Sequence, residues 1–302
     1  MSKSNKMNKI SYSREDQIFN VIIHIIIATL LVIVAYPLIF VLSSSFSSKE
    51  AVTNGLVFLW PVDFSLEGYI AVFKKADVLI GYRNTIIYTV VGTCINLILT
   101  MVAAYPLSRK DLPGGKFITL LFTFTMIFNG GMIPTYMLVK GMGLMNNPLA
   151  LITLGAISAY NLIIARTFIQ TNIPNELLEA ARIDGCSDFK YFGMIVLPLS
   201  KAVIAVLTLY YAITHWNAYF NAFLYLSDRN YWPLQLFLRE ILMENQIDAS
   251  QIVDPELQEA KLGLANLLKY SLIVVSTIPV MLLYPFIQKH FVTGVMVGSV
   301  KG

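Results

Sequence analysis

Residues Asn175 to Ser200 read NELLEAARIDGCSDFKYFGMIVLPLS, a charged stretch between two of the longest apolar runs of the chain. It parses into two short helices. Pro174 suits a first helical turn, and Asn172 or Asn175 can cap it. ELLEAARID consists of good helix formers, with Glu176 and Glu179 early, where the helix dipole favours anions. Gly185 ends the helix, because glycine takes the left-handed conformation without steric cost. Ser187 then caps a second helix, DFKYFGMIV, which runs to Leu197-Pro198 and bends into the next apolar run. On physics alone the elbow has two readings. It is a docking surface, with Ala180 and Ala181 admitting another backbone and Leu177, Leu178 and Ile183 as anchors, or it is a well-capped connector.

The surroundings are those of a membrane protein. Of 302 residues, 56% are hydrophobic and 13% charged, against about 25% charged in soluble domains. Six runs are long enough to cross about 30 Å of hydrocarbon as helix: Ile18–Val41, Asn84–Leu107, Phe117–Met132, Pro148–Thr167, Ala202–Leu226 and Leu267–Phe286. The third is short because NGGMIP (Asn129–Pro134) breaks it, and Thr135–Gly143 is expected as a short surface helix. The first run is too long for a signal-peptide core of about 7–15 residues and reads as a retained anchor. The fold class is all-α and polytopic. It divides into an N-terminal tail (1–17), a six-span domain (18–290) containing the elbow loop 171–200 and an outer loop 227–266, and a C-terminal tail (291–302).

Orientation follows Lys and Arg. With a cytoplasmic N-terminus, the inside segments hold thirteen of the 22 basic residues, and the short loop SRKDLPGGK (Ser108–Lys116) carries three of them. Both termini and the elbow are then cytoplasmic. No Asp, Glu, Lys or Arg lies mid-span, which argues against ion-coupled transport; His24 and His215 are the titratable groups there and read as packed or loop-facing. GGK at Gly114–Lys116 lacks the rest of a phosphate-binding loop, so the chain is not itself an ATPase. Cys94 lies in an apolar run and Cys186 in the elbow, so both read as free thiols. The three histidines have no metal-ligand spacing. The net charge of +4 comes without a basic, aromatic-interleaved stripe, so nucleic acid is not a partner. No HExxH, GxSxG or paired intramembrane carboxylate supports an enzyme.

Glu179-Ala180-Ala181, three residues, Gly185, nine residues, then Ile195-x-Leu197-Pro198 resembles the EAA loop of ABC-importer permeases, with Asp184 also at its usual place. The likeness extends to HWNAYFNAFLYL (His215–Leu226) and YPFIQKHFVTGVMVGSVKG (Tyr284–Gly302), which are similar to the carbohydrate-import branch, MalG-like and of the LplC type found in Gram-positive bacteria. One departure is Cys186, where the family usually has alanine of similar size. The resemblance implies a type I permease fold in the cell membrane, with a coupling helix seated in a cytoplasmic ATPase subunit. It also implies a second homologous permease, two ATPase subunits that bind the ATP and Mg, an extracellular substrate-binding lipoprotein, and a sugar or oligosaccharide cargo. A permease for another solute, or a non-transporting assembly subunit, are the alternatives. Sugar sites need ring faces and amides. The residues considered are Asn129, Asn161, Tyr210, Tyr211, Trp216, Asn217, Tyr219 and Asn221, most of which read equally as packing. WPLQLFLREILM (Trp232–Met243) is expected as an amphipathic helix, and Pro279 and Pro285 as kinks that steer the tail Lys289–Gly302 towards the ATPase.

Overall fold

The computed structural model describes residues 13–250, with side chains to 243, together with 263–282 and 285. The first twelve residues, 251–262 of the outer loop, the bend expected at Pro285 and the tail Lys289–Gly302 lie outside the described residues. The described elements are all helical. The chain divides into two compact units, residues 1–70 with 253–274 and residues 71–252 with 275–302.

In the first unit, α1 (Arg14–Ser45) starts from a Ser13–Asp16 capping box, four residues before the apolar run. From Ile18 to Val34 its side chains are exposed on all sides, the property of a helix that faces lipid. Its end is knitted to the following loop: Ser43 Oγ donates to the Leu59 carbonyl at 2.7 Å, and Ser47 Oγ accepts from Val62 N–H at 3.1 Å. Then follow α2 (Lys49–Thr53) and α3 (Glu67–Lys74), the latter crossing into the second unit.

The second unit is built on α4 (Ala76–Ser108), about 50 Å long at 1.5 Å per residue. After it come α5 (Gly115–Ile127), α6 (Met132–Gly141), α7 (Leu149–Thr153), α8 (Ala159–Asn172), α9 (Asn175–Ile183) and α10 (Asp188–Tyr191). A π-helical turn (Phe192–Val196) leads into α11 (Leu197–Leu199), α12 (Lys201–Trp216), α13 (Phe220–Tyr225) and α14 (Leu234–Ser250). A last helix, α15 (Gly263–Leu282), is shared by both units and runs unbroken through Pro279.

Helices α8, α12 and α14 all pack on α4. The packed side of α4 carries Gly81, Thr85, Thr89, Gly92, Thr93, Asn96 and Thr100, and small residues of this kind let helix backbones approach closely in a membrane. A Cβ on Gly81 would lie 2.8 Å from Leu234 Cα, and one on Gly92 would lie 2.5 Å from the His215 ring. The seam is also polar. Asn96 Nδ2 lies 3.1 Å from His215 Nε2, Thr100 Oγ1 lies 2.7 Å from Tyr211 Oη, and Thr85 Oγ1 accepts from Leu234 N–H at 2.8 Å. His215 is thus a packed histidine. His24 bonds to a carbonyl of its own helix, Asn20, at 2.6 Å.

Among the described residues three helices, α1, α4 and α15, are long and apolar enough to cross a membrane, and two bent pairs are so when each is taken as one. The apolar runs are more broken than their hydropathy suggests. The third turns by 115° between α5 and α6, where Gly131 has φ +85° and Asn129 Oδ1 accepts its N–H at 2.9 Å. As a result the expected surface helix starts at Met132, not Thr135. The run Pro148–Thr167 is split at Gly155, φ +73°, into α7 and α8. The run Ala202–Leu226 is split after Trp216, where Asn217 Nδ2 turns back to the Ile213 carbonyl and competes with helix continuation. The amphipathic helix expected at Trp232 begins at Leu234 and buries Leu234, Phe237, Leu238 and Ile241.

Gly81→Ala places a methyl group against backbone that cannot move aside. We expect a loss of about 1–3 kcal/mol from overpacking, read as a lower thermal midpoint of the purified protein. The same change at Gly141, which meets nothing within 4 Å, should leave the midpoint level or slightly raised. Equal midpoints for the two variants would remove Gly81 as a packing determinant.

Candidate functional site

The elbow begins without the side-chain cap expected of it. Pro174 occupies the cap position of α9, and neither Asn172 nor Asn175 caps. Asn172 Nδ2 instead donates to the Phe168 carbonyl at 3.0 Å, closing the end of α8. The other end is as expected. Gly185 has φ +71°, its N–H donates to the Arg182 carbonyl, and Cys186 N–H donates to the Ala181 carbonyl at 2.8 Å. That is the Schellman pair of bonds, and its usual apolar contact is Cys186 against Ala181. Cys186 is half-buried at the edge of the core that holds Ala181. Both cysteines are free thiols. Ser187 Oγ accepts from Lys190 N–H and starts α10.

Pro198 explains the next bend. It has no N–H to offer the fourth residue back, and its ring crowds that turn. The helix widens into the π turn Phe192–Val196 just before it and then turns by 80° at Ser200 into α12.

The two alanines of the motif part company. Ala181 is 8% exposed and joins Tyr191, Val196, Leu207, Ala104 and Ile169 in the core of the second unit, with Leu178, Cys186, Ile195 and Leu197 packed at its edge. Glu179, Ala180, Asp184, Gly185 and Pro198 are exposed. Ile183 and Phe189 are 87% and 91% exposed, an uneconomical place for large apolar side chains unless another surface covers them. The elbow is thus rooted in its own bundle through one face and open on the other.

A mount that motif reading missed holds it there. Arg109, just past α4, forms a two-bond fork with Asp111, 2.9 and 2.6 Å, and reaches Asp188 of α10 at 2.5 Å. Asp111 also accepts from Arg182 of α9 at 2.9 Å. The Arg109 and Arg182 guanidiniums hold the Asp111 carboxyl far below the ordinary carboxylate range. Arg166 Nε donates to the Leu107 carbonyl at 2.8 Å and ties α8 to the same end of α4. Beside the mount lies a cavity of about 540 Å³, walled by Val102, Pro106, Leu112 and Phe192 among others. The sequence signal for the mount was the basic loop Ser108–Lys116, which had been read only as an orientation marker.

The residues considered for a transport path divide by burial. Tyr211 bonds to Thr100 and accepts from Ser158 N–H, Trp216 Nε1 donates to the Ser276 carbonyl at 2.9 Å, and Asn161 is buried behind the cap of α8. These are packing residues by geometry. Tyr210 is half-buried, and Thr214, Asn217, Tyr219 and Asn221 are exposed, as is Asn129 at the α5–α6 bend. Tyr210 and Thr214 of α12 and Asn217 at its end follow one another at helical spacing as a polar stripe. Such a stripe is costly against lipid.

The sequence profile of the family described as binding-protein-dependent transport system inner membrane component matches residues 12–297. The polygalacturonan/rhamnogalacturonan transport system permease protein YtcP of Bacillus subtilis is 42% identical over 291 residues, 95% of this chain and 100% of that one. Protein LplC of the same organism is 40% identical over 266 residues, 88% of this chain and 89% of that one. Among solved structures, a bacterial ABC transporter involved in the import of the acidic polysaccharide alginate superposes with a TM-score of 0.83 at 34% identity, over 94% of this chain and 100% of that one.

Arg109→Ala should free both halves of the elbow. We expect trypsin to cut at Arg182 and Lys190 several-fold faster, with a small change in the midpoint of the whole protein, since half-exposed ion pairs each contribute about 1 kcal/mol or less. Unchanged cleavage would show that apolar packing alone holds the elbow. Asp111 has a depressed folded-state pKa, so its contribution is fully present above the ordinary aspartate value of about 3.9 and is lost as pH falls through the lower folded value. Elbow protection in the unaltered protein is therefore expected to stay level from about pH 5 to 9.

Proposed function

Since this chain belongs to the binding-protein-dependent transport system inner membrane component family, we propose that it forms half of the pathway of an ATP-driven oligosaccharide importer, driven through α9 and the glycine turn that ends it. It is a permease subunit and non-catalytic, as members of that family are. The observation that carries the coupling reading is the division of α9. Its inner face, through Ala181, lies in the core that also holds Val203, Leu207 and Tyr211 of α12. Its outer face presents Glu179, Ala180, Ile183 and Asp184. A displacement applied to the outer face reaches α12 through packed side chains and through the continuous run α10–α11, without a flexible joint at Gly185.

In this reading six spans cross the cell membrane: α1, α4, α5, α7 with α8, α12 with α13, and α15. The elbow loop 171–200 and both tails are cytoplasmic, and the loop 227–266 is extracellular, where a substrate-binding lipoprotein meets it. An ATPase subunit receives α9, its pair binds ATP and Mg, and a second homologous permease completes the path. Glu179, Ala180, Asp184 and Gly185 form the docking surface. Ala181, Ile195 and Leu197 anchor it, and Pro198 sets the bend. The polar stripe on α12, with Tyr219 and Asn221 beyond it and Asn129 at the α5–α6 bend, lines the path. The sugar cargo is supported by the names of YtcP and of the alginate importer.

Two substitutions test the coupling role. Ala180→Trp costs nothing inside this chain, because the site is exposed, and blocks a close-fitting partner. A Cβ added at Gly185 meets no atom within 4 Å, so the damage expected of Gly185→Val is conformational, a β-branched residue forced to φ +71°. Both variants should insert and pair with the second permease, yet lose ATPase co-purification or uptake of labelled oligogalacturonate by tenfold or more. Wild-type values of both readouts in both variants would reduce the elbow to a connector.

A further inference from the structure

Most arginines of the second unit are engaged. Arg109 and Arg182 pair with Asp111 and Asp188, Arg229 is held by Asp77 and Glu240, and Arg166 donates to a carbonyl. Arg239, on the exposed side of α14, forms no ion pair with any described side chain. Its guanidinium lies instead beside two rings, 5.2 Å from the centroid of Tyr219, the residue before α13, and 5.3 Å from that of Phe223 within it. These rings are four residues apart, on one face of the helix, and both are exposed in this chain.

The arrangement has a definite chemistry. A guanidinium within cation–π reach of two rings is held in place without using its N–H donors. That fork of donors suits a planar anion, a carboxylate above all. A lysine offers a point charge without the fork. The position is equally definite: α13 continues α12 beyond the polar stripe, at the opposite end of α12 from the elbow.

We propose that Arg239, held beside Tyr219 and Phe223, reads the carboxylate of an acidic sugar, so that the cargo is a uronate-containing oligosaccharide. This rests on the permease reading given above. It goes further by naming the cargo's charge and the residue that selects it. Tyr219 serves twice, holding the guanidinium and offering the rest of its ring to the sugar.

The test compares trigalacturonate with its methyl ester, which keeps the sugar rings and removes the charge. Both are supplied, labelled, to cells carrying the assembled importer. We expect the unaltered protein to take up the acid in preference. Arg239→Gln should lower acid uptake about tenfold or more, the worth of a charge-assisted bond, and leave ester uptake within about twofold. Arg239→Lys should restore part of the preference. An equal loss for acid and ester would make Arg239 a brace between α13 and α14 and overturn the proposal. So would an undiminished acid preference in Arg239→Gln. In both cases the importer reading stands. If neither sugar enters, nor any neutral oligosaccharide of a panel, while the ATPase co-purifies, then the cargo reading falls and this proposal with it.

Discussion

The close approach of helices to α4 is the constraint on which the second unit depends. Apolar burial gives helices little reason to associate inside a bilayer, because lipid tails are as apolar as leucine. What remains is contact and hydrogen bonding. Gly81 admits the backbone of α14, Gly92 admits the His215 ring of α12, and Asn96, Thr100 and Thr85 add directed bonds along the same side. With α12 and α14 seated there, the elbow at the lower end of α12 and the aromatic pair at its upper end acquire fixed places relative to one long rod.

The mount around Arg109 extends the same rod. It begins one residue past α4 and grips both arms of the elbow, while Arg166 fastens α8 to the last carbonyls of α4. The apolar packing and the charged cluster meet at Tyr105, whose ring lies 6.1 Å from that of Tyr191 and whose hydroxyl bonds to Arg109 and Asp188. In the proposed importer this stiffness is the functional quantity. A coupling element that yields locally dissipates the ATPase stroke, whereas one fixed to two spans at once delivers it to both.

Legibility followed the range of the interactions. The elbow's glycine turn, the Ser187 cap and the bend at Pro198 were readable because each depends on residues within a turn of one another. The helical class was readable from the lengths of the apolar runs. What escaped was non-local or irregular. Hydropathy averages over Gly155 and Asn217, where bond geometry and not polarity ends the helix. The ties from Arg109 to Asp188 and from Arg182 to Asp111 span 79 and 71 positions and leave no local signal. Tyr211 and Trp216 read equally as lining or packing, and their polar atoms are taken up by Ser158, Thr100 and Ser276. The choice between packing and lining is made by which face of α12 meets α4. A single sequence does not display that face.

The bareness of α1 has a mechanical consequence of its own. Its apolar run from Ile18 to Val41 would measure about 36 Å as straight helix, against about 30 Å of hydrocarbon. With almost no side chain of that run tucked into its own unit, little protein contact fixes its inclination. Length mismatch is then relieved by tilting, at a fraction of a kcal/mol per Å. The serine-rich end at Ser43–Ser47 is tied by hydrogen bonds to the Leu59 and Val62 backbone, which leaves the apolar run as the less held part of the helix. A thinner or thicker bilayer therefore bears on this subunit first through the angle of its opening helix.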